Sequence, residues 1–447
     1  MRKIVNGILK YHKVPVYAAL TAVLCFLFLF SSKPTEDYCG KFIDVGNFGT
    51  FPLNCDSYDY VDTAKDPIKL FDEKSIRQTR PLYVVLASGL GYVLSPVFKL
   101  LPLESAAAQD ALLASSFYWG FMVLNFTILV LSLLLFDRIV DILTERKFPQ
   151  TAKYILAVFL VSNVVIKTSF WSAHQQMLTI LSPLLCVYLC LKIVLADELK
   201  AKNIYLFALT GGILLLTYGN FLVLCPALIL AVLIQLYRSG DFSIKHAAKL
   251  CIPAGLIFIA PMALWSAILF KINGGVYSHE ASAYRQFIWI FDKLSVSFKD
   301  FYDQLIAFST LYWTSIYRTA FAFLIAVILI KTFNYIAQRK AEQSRLPANR
   351  NSAAAIIAVI LMLYALFFWL MGYYSERLTF TLVPVVLCLI VLELSVLLAR
   401  GKALTVKAVY VVLLFCAGFW IYSNVKAYGP FRDLSKINYS KIYELKV

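Results

Sequence analysis

The sequence predicts an all-α polytopic membrane protein with about eleven transmembrane helices. Hydrophobic residues make up 60% of the 447 residues, the mean hydropathy is +0.73, and only 15% of the residues are charged. Because a soluble protein of this length cannot cover so much apolar surface, lipid must surround most of the chain. Apolar runs of about 17 to 25 residues, which can span a bilayer, recur from one end of the sequence to the other.

The first such run, 14–31, follows a basic N-terminus and resembles a signal peptide. No small-residue cleavage site follows it, so we expect an uncleaved helix. A later run, Leu82–Leu101, is expected to lie on the surface or to be re-entrant, because Gly89, Gly91 and Pro96 weaken a spanning helix. The ten further predicted spans are 110–136, 151–169, 175–195, 204–218, 220–236, 249–270, 315–336, 353–372, 378–399 and 404–424.

The charge pattern predicts the orientation. Lys and Arg outnumber Asp and Glu by 42 to 26, but no basic stripe with interleaved aromatic residues points to nucleic acid. Basic loops mark the cytoplasmic side. The whole chain, 1–447, is then predicted to be one transmembrane domain. Three segments are expected to face outward: a first outer loop with juxtamembrane helices (32–109), a second outer loop (271–314) and the tail (Lys426–Val447). We expect a multi-pass protein of the bacterial inner membrane whose active site faces the periplasm.

The cysteines fall into two groups. Seven lie in apolar runs and are expected to serve as small packing residues. Cys39 and Cys55 lie in the first outer loop, in an oxidising compartment, where a disulfide between them or two free thiols would both be compatible with the sequence. No Cys/His pair has the spacing of a metal site.

The first outer loop is rich in carboxylates, with nine of the chain's 26 acidic residues between positions 32 and 81. The segment from Asp56 onward predicts a helix with Asp56 as its N-cap. At helical spacing, Asp56, Asp59, Tyr60 and Thr63 share one face. An ordinary capped surface helix explains this pattern, and chemistry at the membrane surface is the alternative.

Two short motifs resemble the GT-C membrane glycosyltransferases, which include protein O-mannosyltransferases and aminoarabinose transferases. Asp56 and Tyr60 match a D-x-x-x-Y pattern, and Arg80-Pro81-Leu82-Tyr83 is similar to the basic-Pro-Pro-Leu-Tyr stretch of that family, with one Pro missing. The resemblance implies an inverting transfer of a sugar from a polyprenyl-phosphate donor to a lipid, glycan or protein acceptor. Asp56 would be the catalytic base, with Asp59 as second candidate, and Tyr60 and Tyr83 would contact the donor.

No cofactor is expected to be required. Either aspartate, Asp56 or Asp59, could instead bind a divalent cation, but two oxygen ligands are too few to predict a metal site.

Basic residues near the outer ends of helices are candidates for donor phosphate binding. Arg377 is the best placed of them, and Tyr374 in the same outer connection is a further candidate for donor binding. Two simpler explanations of Arg377 are snorkelling at the membrane interface and an ion pair with Glu376. Lys167 lies one turn from the outer end of its predicted helix, where an unpartnered lysine is unfavourable.

Two further donor-site candidates, His174 and Arg80, each have a simpler explanation. His174 could bond a sugar or phosphate, or be an ordinary hydrogen-bonding group. Arg80 could bind donor, or pair with carboxylates of its own loop. Glu393 is the only acid well inside a predicted span, about two turns from its inner end, and it is expected to have a polar partner.

The second outer loop carries residue types that contact sugars, and its segment Phe287–Leu305 reads as an amphipathic helix able to close over a substrate. The residue types in question are at Tyr277, His279, Glu280, Tyr284 and Arg285.

Two other function classes were weighed: a lipid or glycolipid transporter or flippase, and a membrane scaffold. Transporters concentrate ionisable groups or broken helices near the bilayer midplane. In this chain the polar residues concentrate outside, which favours an enzyme acting at the outer face.

Overall fold

The computed structural model describes residues 2–27, 38–44, 50–100, 106–339, 350–400 and 403–428. These ranges fold into α-helices, with one β-hairpin and three short 3-10 helices between them. The helices are α1 (Arg2–Leu27), α2 (Cys55–Lys65), α3 (Pro81–Lys99), α4 (Ala106–Leu143), α5 (Gln150–Val161), α6 (Val164–Ser169), α7 (Leu178–Val194), α8 (Ala201–Leu215), α9 (Leu224–Ser239), α10 (Ile244–Asn273), α11 (His279–Ser282), α12 (Ile288–Val296), α13 (Phe298–Thr319), α14 (Phe321–Arg339), α15 (Arg350–Met371), α16 (Glu376–Thr379), α17 (Leu382–Arg400) and α18 (Ala403–Tyr428). The 3-10 helices are Pro67–Phe71, Gln175–Met177 and Gly219–Val223.

The helical, polytopic architecture predicted from composition is confirmed. Within the described ranges, eight helical segments are long and apolar enough to cross a membrane, and a ninth would be formed by α13 and the first part of α14 together. That pair bends by 67° at its junction. Each of the eleven predicted runs is mostly helical where the structure describes it, and some contain short breaks, as at 162–163 and 380–381.

One of the eleven predicted spans, 151–169, is shorter than expected, since its apolar helix covers only Gln150–Val161. The helix ends early because Asn163 starts a new one: its side-chain oxygen accepts hydrogen bonds from the backbone N–H groups of Val165 and Ile166. An asparagine that caps the following helix in this way interrupts the one before it. The predicted run 204–218 forms Ala201–Leu215, a helix that begins three residues earlier.

The segment Leu82–Leu101 is the run that we expect to lie on the surface or to be re-entrant. It forms α3, one continuous helix, whose length and composition would allow it to cross a membrane. Pro81 occupies the first turn, where a missing N–H costs nothing. The glycines do not break the helix, because Gly91 is where α3 meets Phe117 of α4. The re-entrant and the surface-lying alternatives both stay predictions.

Helix α4 connects two polar layers of the bundle. Asn125 bonds to Tyr83 of α3 and to the backbone oxygens of Phe170 and Ser172. Twelve residues further along, about 18 Å at helical rise, Asp137 binds Lys13, 2.5 Å away. We call these two levels the Asn125 end and the Asp137 end.

A β-hairpin precedes α2, and the sequence did not predict it. Strand β1 (Tyr38–Asp44) pairs antiparallel with β2 (Thr50–Asn54), from Tyr38 opposite Asn54 to Asp44 opposite Thr50. Pro52 lowers the strand signal, but it is tolerated because both strands of a two-stranded sheet are edges. The predicted disulfide concerns the side chains of Cys39 and Cys55, which lie outside the described part of the structure.

The second outer loop contains two helices where one was predicted over Phe287–Leu305. α12 ends at Val296, and Ser297, with extended backbone angles, caps α13 by accepting a hydrogen bond from the N–H of Asp300 at 3.0 Å. A serine N-cap in the middle of an apolar run thus divides it. Glu393 has the polar partners expected of it, since Arg350 lies 2.7 Å away and Asn334 donates a hydrogen bond at 2.9 Å.

Candidate functional site

The carboxylate of Asp56 lies in the first turn of α2. The prediction that Asp56 is the N-cap of this helix is wrong, because the helix already begins at Cys55 and Asp56 lies inside it. The side chain of Asp56 is 44% exposed, and it lines a cavity at the Asn125 end. Burial alone would raise the pKa of Asp56, but His174 and Arg77 beside it hold that pKa well below its usual range. Asp56 is therefore a carboxylate across the physiological range.

Arg77 is the residue that fixes Asp56. Its guanidinium lies 2.8 Å from Asp56 Oδ1, donates to the Asp56 backbone oxygen at 3.1 Å, and reaches Asp59 Oδ2 at 3.5 Å. The same group stacks over the ring of Tyr60, 4.0 Å from its centre. Because only 3% of the Arg77 side chain is exposed, its charge acts on Asp56 in a low-dielectric environment.

Asp59 faces a different space from Asp56. It lines a second, mostly polar cavity of about 340 Å³ with Asp62, Lys69 and Asp72, and Arg77 lines both cavities. Burial, with the neighbouring charges of Asp56 and Asp62, raises the pKa of Asp59 despite Arg77. The structure thus gives the two candidate aspartates opposite pKa shifts.

Tyr60 is a fully buried link between three polar groups. Its hydroxyl donates to Gln175 and accepts a hydrogen bond from Arg80 at 3.1 Å. Arg80 in turn binds Glu280 of the second outer loop, so the predicted pairing of Arg80 with carboxylates of its own loop is wrong; Arg77 makes that contact. Tyr60 therefore positions groups around the cavity and does not line it.

His174 brings the outer end of α6 to Asp56. Its Nε2 lies 3.6 Å from Asp56 Oδ2, an ion-pair distance longer than a hydrogen bond, and its side chain is 6% exposed. Burial and the positive charges of Arg377 and Arg80 lower the pKa of His174 to about 4, although Asp56 opposes this. The imidazole is therefore neutral at pH 7. Its Nδ1 has no hydrogen-bond partner among the described residues.

Arg377 supplies an uncompensated positive charge. It lines the same cavity as Asp56 and has no ion-pair or hydrogen-bond partner in the described part of the chain. The predicted alternative, a pair with Glu376, is wrong, because Glu376 binds Arg318 at 3.2 Å. A free guanidinium in a cavity is suited to a phosphate or carboxylate.

The cavity measures about 360 Å³ and has a polar and an apolar side. Its polar side carries three arginines and two carboxylates: Arg77, Arg80, Arg377, Asp56 and Glu280. Its apolar side is formed by Leu215, Leu222, Met262, Phe287, Phe367, Met371 and Leu378. With both histidines of its lining counted as neutral, the cavity holds one excess positive charge.

The second outer loop covers the cavity and is held to the first loop at Gln78 as well as at Arg80. Gln78 accepts hydrogen bonds from the indole of Trp265 at its backbone oxygen and from the N–H of Tyr277 at its side-chain oxygen. Three aromatic rings line the cavity here: Tyr284 lies 5.0 Å from Tyr373 and 5.4 Å from His279, centre to centre. Such faces suit the stacking of a sugar ring, as expected for this loop.

Four predicted site residues do not line the cavity: Asp59 and Tyr60, described above, and Tyr83 and Tyr374. Tyr83 is buried in the core, where its hydroxyl donates to Asn125. Tyr374 packs on other aromatic rings and donates to the backbone oxygen of Trp369. Lys167 belongs to α6, but its side chain lies outside the described residues.

Sequence reasoning missed several lining residues. Arg77 had a visible signal, since it is a basic residue three positions before Arg80 in a carboxylate-rich loop. Gln176, Tyr218 and Asn220 had none, because single polar residues at the start of an apolar helix are usually interfacial. Within the described residues, no group of three or more His, Cys, Asp or Glu side chains is arranged to hold a metal ion.

The comparisons with known proteins give one structural match. No family model matches the chain, and no curated protein matches it in sequence. The match is the crystal structure of ArnT from Cupriavidus metallidurans bound to undecaprenyl phosphate, with 13% identity and a TM-score of 0.46. It covers 87% of this chain and 60% of that one, so the chain spans less than two thirds of the length of that protein.

Proposed function

We propose that this protein is a membrane glycosyltransferase that takes a sugar from a polyprenyl-phosphate donor at the outer, periplasmic face of a bacterial inner membrane. The observation that carries the proposal is the pairing, in one cavity, of an ionised carboxylate, Asp56, with an unpaired guanidinium, Arg377. The motifs Asp56–Tyr60 and Arg80–Tyr83 support the same reaction class.

The charge of the cavity suits the donor. A sugar linked to one phosphate is a phosphodiester with a single negative charge, whereas a diphosphate linkage carries two. The one excess positive charge of the cavity matches the former. Arg377 is the free group, while Arg80 is already paired with Glu280. We therefore assign phosphate binding to Arg377 first.

The apolar side of the cavity suits the isoprenoid chain. Leu222, Met262 and Phe367 offer it a hydrocarbon surface, and Leu222 is 47% exposed. A lipid whose tail contacts these side chains and whose phosphate contacts Arg377 would present its sugar between the two sides, close to Asp56.

The proposed chemistry is an in-line displacement at the anomeric carbon. The acceptor hydroxyl attacks that carbon, the bond from it to the phosphate oxygen breaks, and polyprenyl phosphate leaves with both electrons. Asp56 accepts the proton of the hydroxyl. Because Arg77 holds Oδ1, the oxygen facing the acceptor is Oδ2. Arg77 lowers the basicity of Asp56 but keeps it ionised and aligned at neutral pH.

Replacement of Asp56 tests the proposed base. Radiolabelled polyprenyl-phosphate sugars are incubated with membranes that contain the protein, and label leaving the donor is counted. Asp56→Asn should lower transfer by about 100- to 10,000-fold, the usual contribution of a general base. Asp62→Asn is the matched control, because Asp62 faces the second cavity with Lys69 as its partner. Full activity of Asp56→Asn would contradict the assignment.

Replacement of Arg377 tests the donor site separately. The probe is undecaprenyl phosphate, and binding to the purified protein is measured in detergent. Arg377→Ala should weaken binding by roughly 1.5 to 3 kcal/mol, the value of hydrogen bonds to a charged group. Arg318→Ala is the control, because Arg318 lies in the same region, is 63% exposed and pairs with Glu376. Equal affinity of the two variants would remove Arg377 from the phosphate site.

A further inference from the structure

We infer that the protein has a second anion site at the Asp137 end, on the opposite side of the bundle from the proposed active site, and that it binds the phosphate of an anionic phospholipid headgroup. The site is a cavity of about 520 Å³, larger than the one lined by Asp56. It is independent of the proposed function, because none of its residues takes part there. Its lining is Arg138, Asp141, Ile142, Glu145, Arg146, Tyr188 and Lys192.

Three of the lining side chains are cations without an acidic partner among the described residues: Arg138, Arg146 and Lys192. Both carboxylates of the lining are already neutralised from elsewhere. Asp141 binds Lys153 and lies 3.6 Å from Lys13, and Glu145 binds Lys147 at 2.7 Å. The remaining field inside this cavity is therefore positive.

The backbone brings one of these cations to the rim in an unfavourable conformation. Glu145 and Arg146, which directly follow α4, have φ angles of 52° and 62°. Non-glycine residues rarely occupy this left-handed region, and such residues cluster at binding sites. Here the turn is closed by the N–H of Arg146, which donates to the backbone oxygen of Asp141 at 2.9 Å.

The position of the cavity selects the ligand. Arg138 and Lys192 lie in the last turns of two candidate membrane spans, which end at Leu143 and Val194. Groups at the ends of spanning helices meet lipid headgroups, and basic pockets between helices at that level bind anionic lipids. Lys192 also sits 5.7 Å from the ring centre of Tyr188, an aromatic side chain suited to the interface.

The test compares two triple variants with the same change in charge. The full-length protein in detergent is titrated with phosphatidylglycerol, phosphatidylcholine or glycerol phosphate, and bound lipid is followed by native mass spectrometry and thermal stability. Wild type should prefer phosphatidylglycerol to the other two probes. Arg138→Gln/Arg146→Gln/Lys192→Gln should lose this preference, by about fivefold in affinity for each charge removed. Lys202→Gln/Lys245→Gln/Lys249→Gln removes three exposed lysines outside the cavity and should bind like wild type.

Three results would overturn the inference. An equal loss in both triple variants would show a general charge effect without a site. Binding of glycerol phosphate as tight as that of the lipid would show a site for soluble phosphates. No preference over phosphatidylcholine would show no anion site at all. If the cavity triple variant does not fold, the same comparison is made between Arg146→Gln and Lys245→Gln. Both side chains are exposed: Arg146 lies in the turn after α4, and Lys245 lies in the first turn of α10.

Discussion

Asp56 keeps its negative charge because a buried arginine occupies one of its oxygens. The interaction joins Asp56 to Arg77, and the ring of Tyr60 stacks on the Arg77 guanidinium and holds it in place. An arginine that is 3% exposed is unfavourable to bury unless it is paired, so Arg77 and the two aspartates depend on each other. The first outer loop is thereby folded onto itself at the point where the proposed chemistry takes place.

His174 gives the protein a pH-dependent stability. Its pKa in the folded chain, about 4, lies below the ordinary value of 6.5. Between these values the unfolded chain binds a proton that the folded chain does not. Stability from neutral His174 is therefore complete above pH 6.5 and is lost as the pH falls toward 4, by up to roughly 3 kcal/mol.

We expect the midpoint temperature of thermal unfolding in detergent to decrease as the pH is lowered from 7 to 4.5. His174→Gln should remove much of this dependence of the midpoint temperature on pH, which is the slope compared here. His246→Gln is the control, since His246 is exposed at the opposite end of the molecule and should leave the slope intact. A slope that is unchanged in His174→Gln would show that other groups cause it.

Among the elements, α3 and α4 approach each other backbone to backbone at Gly120. A Cβ at Gly120 would lie 2.6 Å from the backbone oxygen of Ala87 and 2.9 Å from the backbone nitrogen of Gly91. Backbone atoms cannot move aside as the end of a long side chain can. The close approach matters to the site, because α3 begins at Pro81, directly after Arg80, which lines the cavity.

Gly120→Ala should therefore lower the stability of the protein by about 1 to 3 kcal/mol, the usual cost of overpacking. Gly89→Ala is the matched control on α3, where nothing lies within 4 Å of the added atom. A glycine replaced by alanine in an open helical position should raise stability by about 0.5 to 1 kcal/mol. The two variants are compared by thermal unfolding, and a Gly120→Ala protein as stable as Gly89→Ala would contradict the packing argument.

At the scale of the whole molecule, the two ends differ in chemistry. The Asn125 end holds the cavity with Asp56 and Arg377, and the Asp137 end holds the larger basic cavity. Basic residues left without acidic partners favour the cytoplasmic side of a membrane. This difference supports the proposal that the active site faces outward, toward acceptors of the cell envelope.

Cysteine labelling in intact cells tests this orientation. Lys74→Cys lies in the first outer loop and is exposed, so a membrane-impermeant maleimide should label it without permeabilisation. Lys245→Cys, exposed at the other end, should be labelled only after permeabilisation. The background is a variant without Cys416, an exposed native cysteine, and without Cys39 and Cys55, which lie in the same first outer loop as Lys74. The reverse pattern would place Asp56 on the cytoplasmic side and remove the proposed function.

Composition and local sequence pattern were enough to predict the surrounding lipid, the helical class and the position of the acidic loop along the chain. These properties follow from composition and from local periodicity, which depend on neighbours in the chain. The sequence also placed Asp56, Arg80, His174 and Arg377 on a short list of residues that the structure brings to one cavity.

Only the tertiary structure decided the partners of those residues. Arg80 binds Glu280, which is 200 positions away in the sequence, and Arg377 is free because Arg318 has taken Glu376. It also separated Asp56 from Asp59, which adjacent spacing on a helix had grouped together. Partner choice among charges depends on distances between remote segments and on burial, and neither quantity is encoded in local spacing.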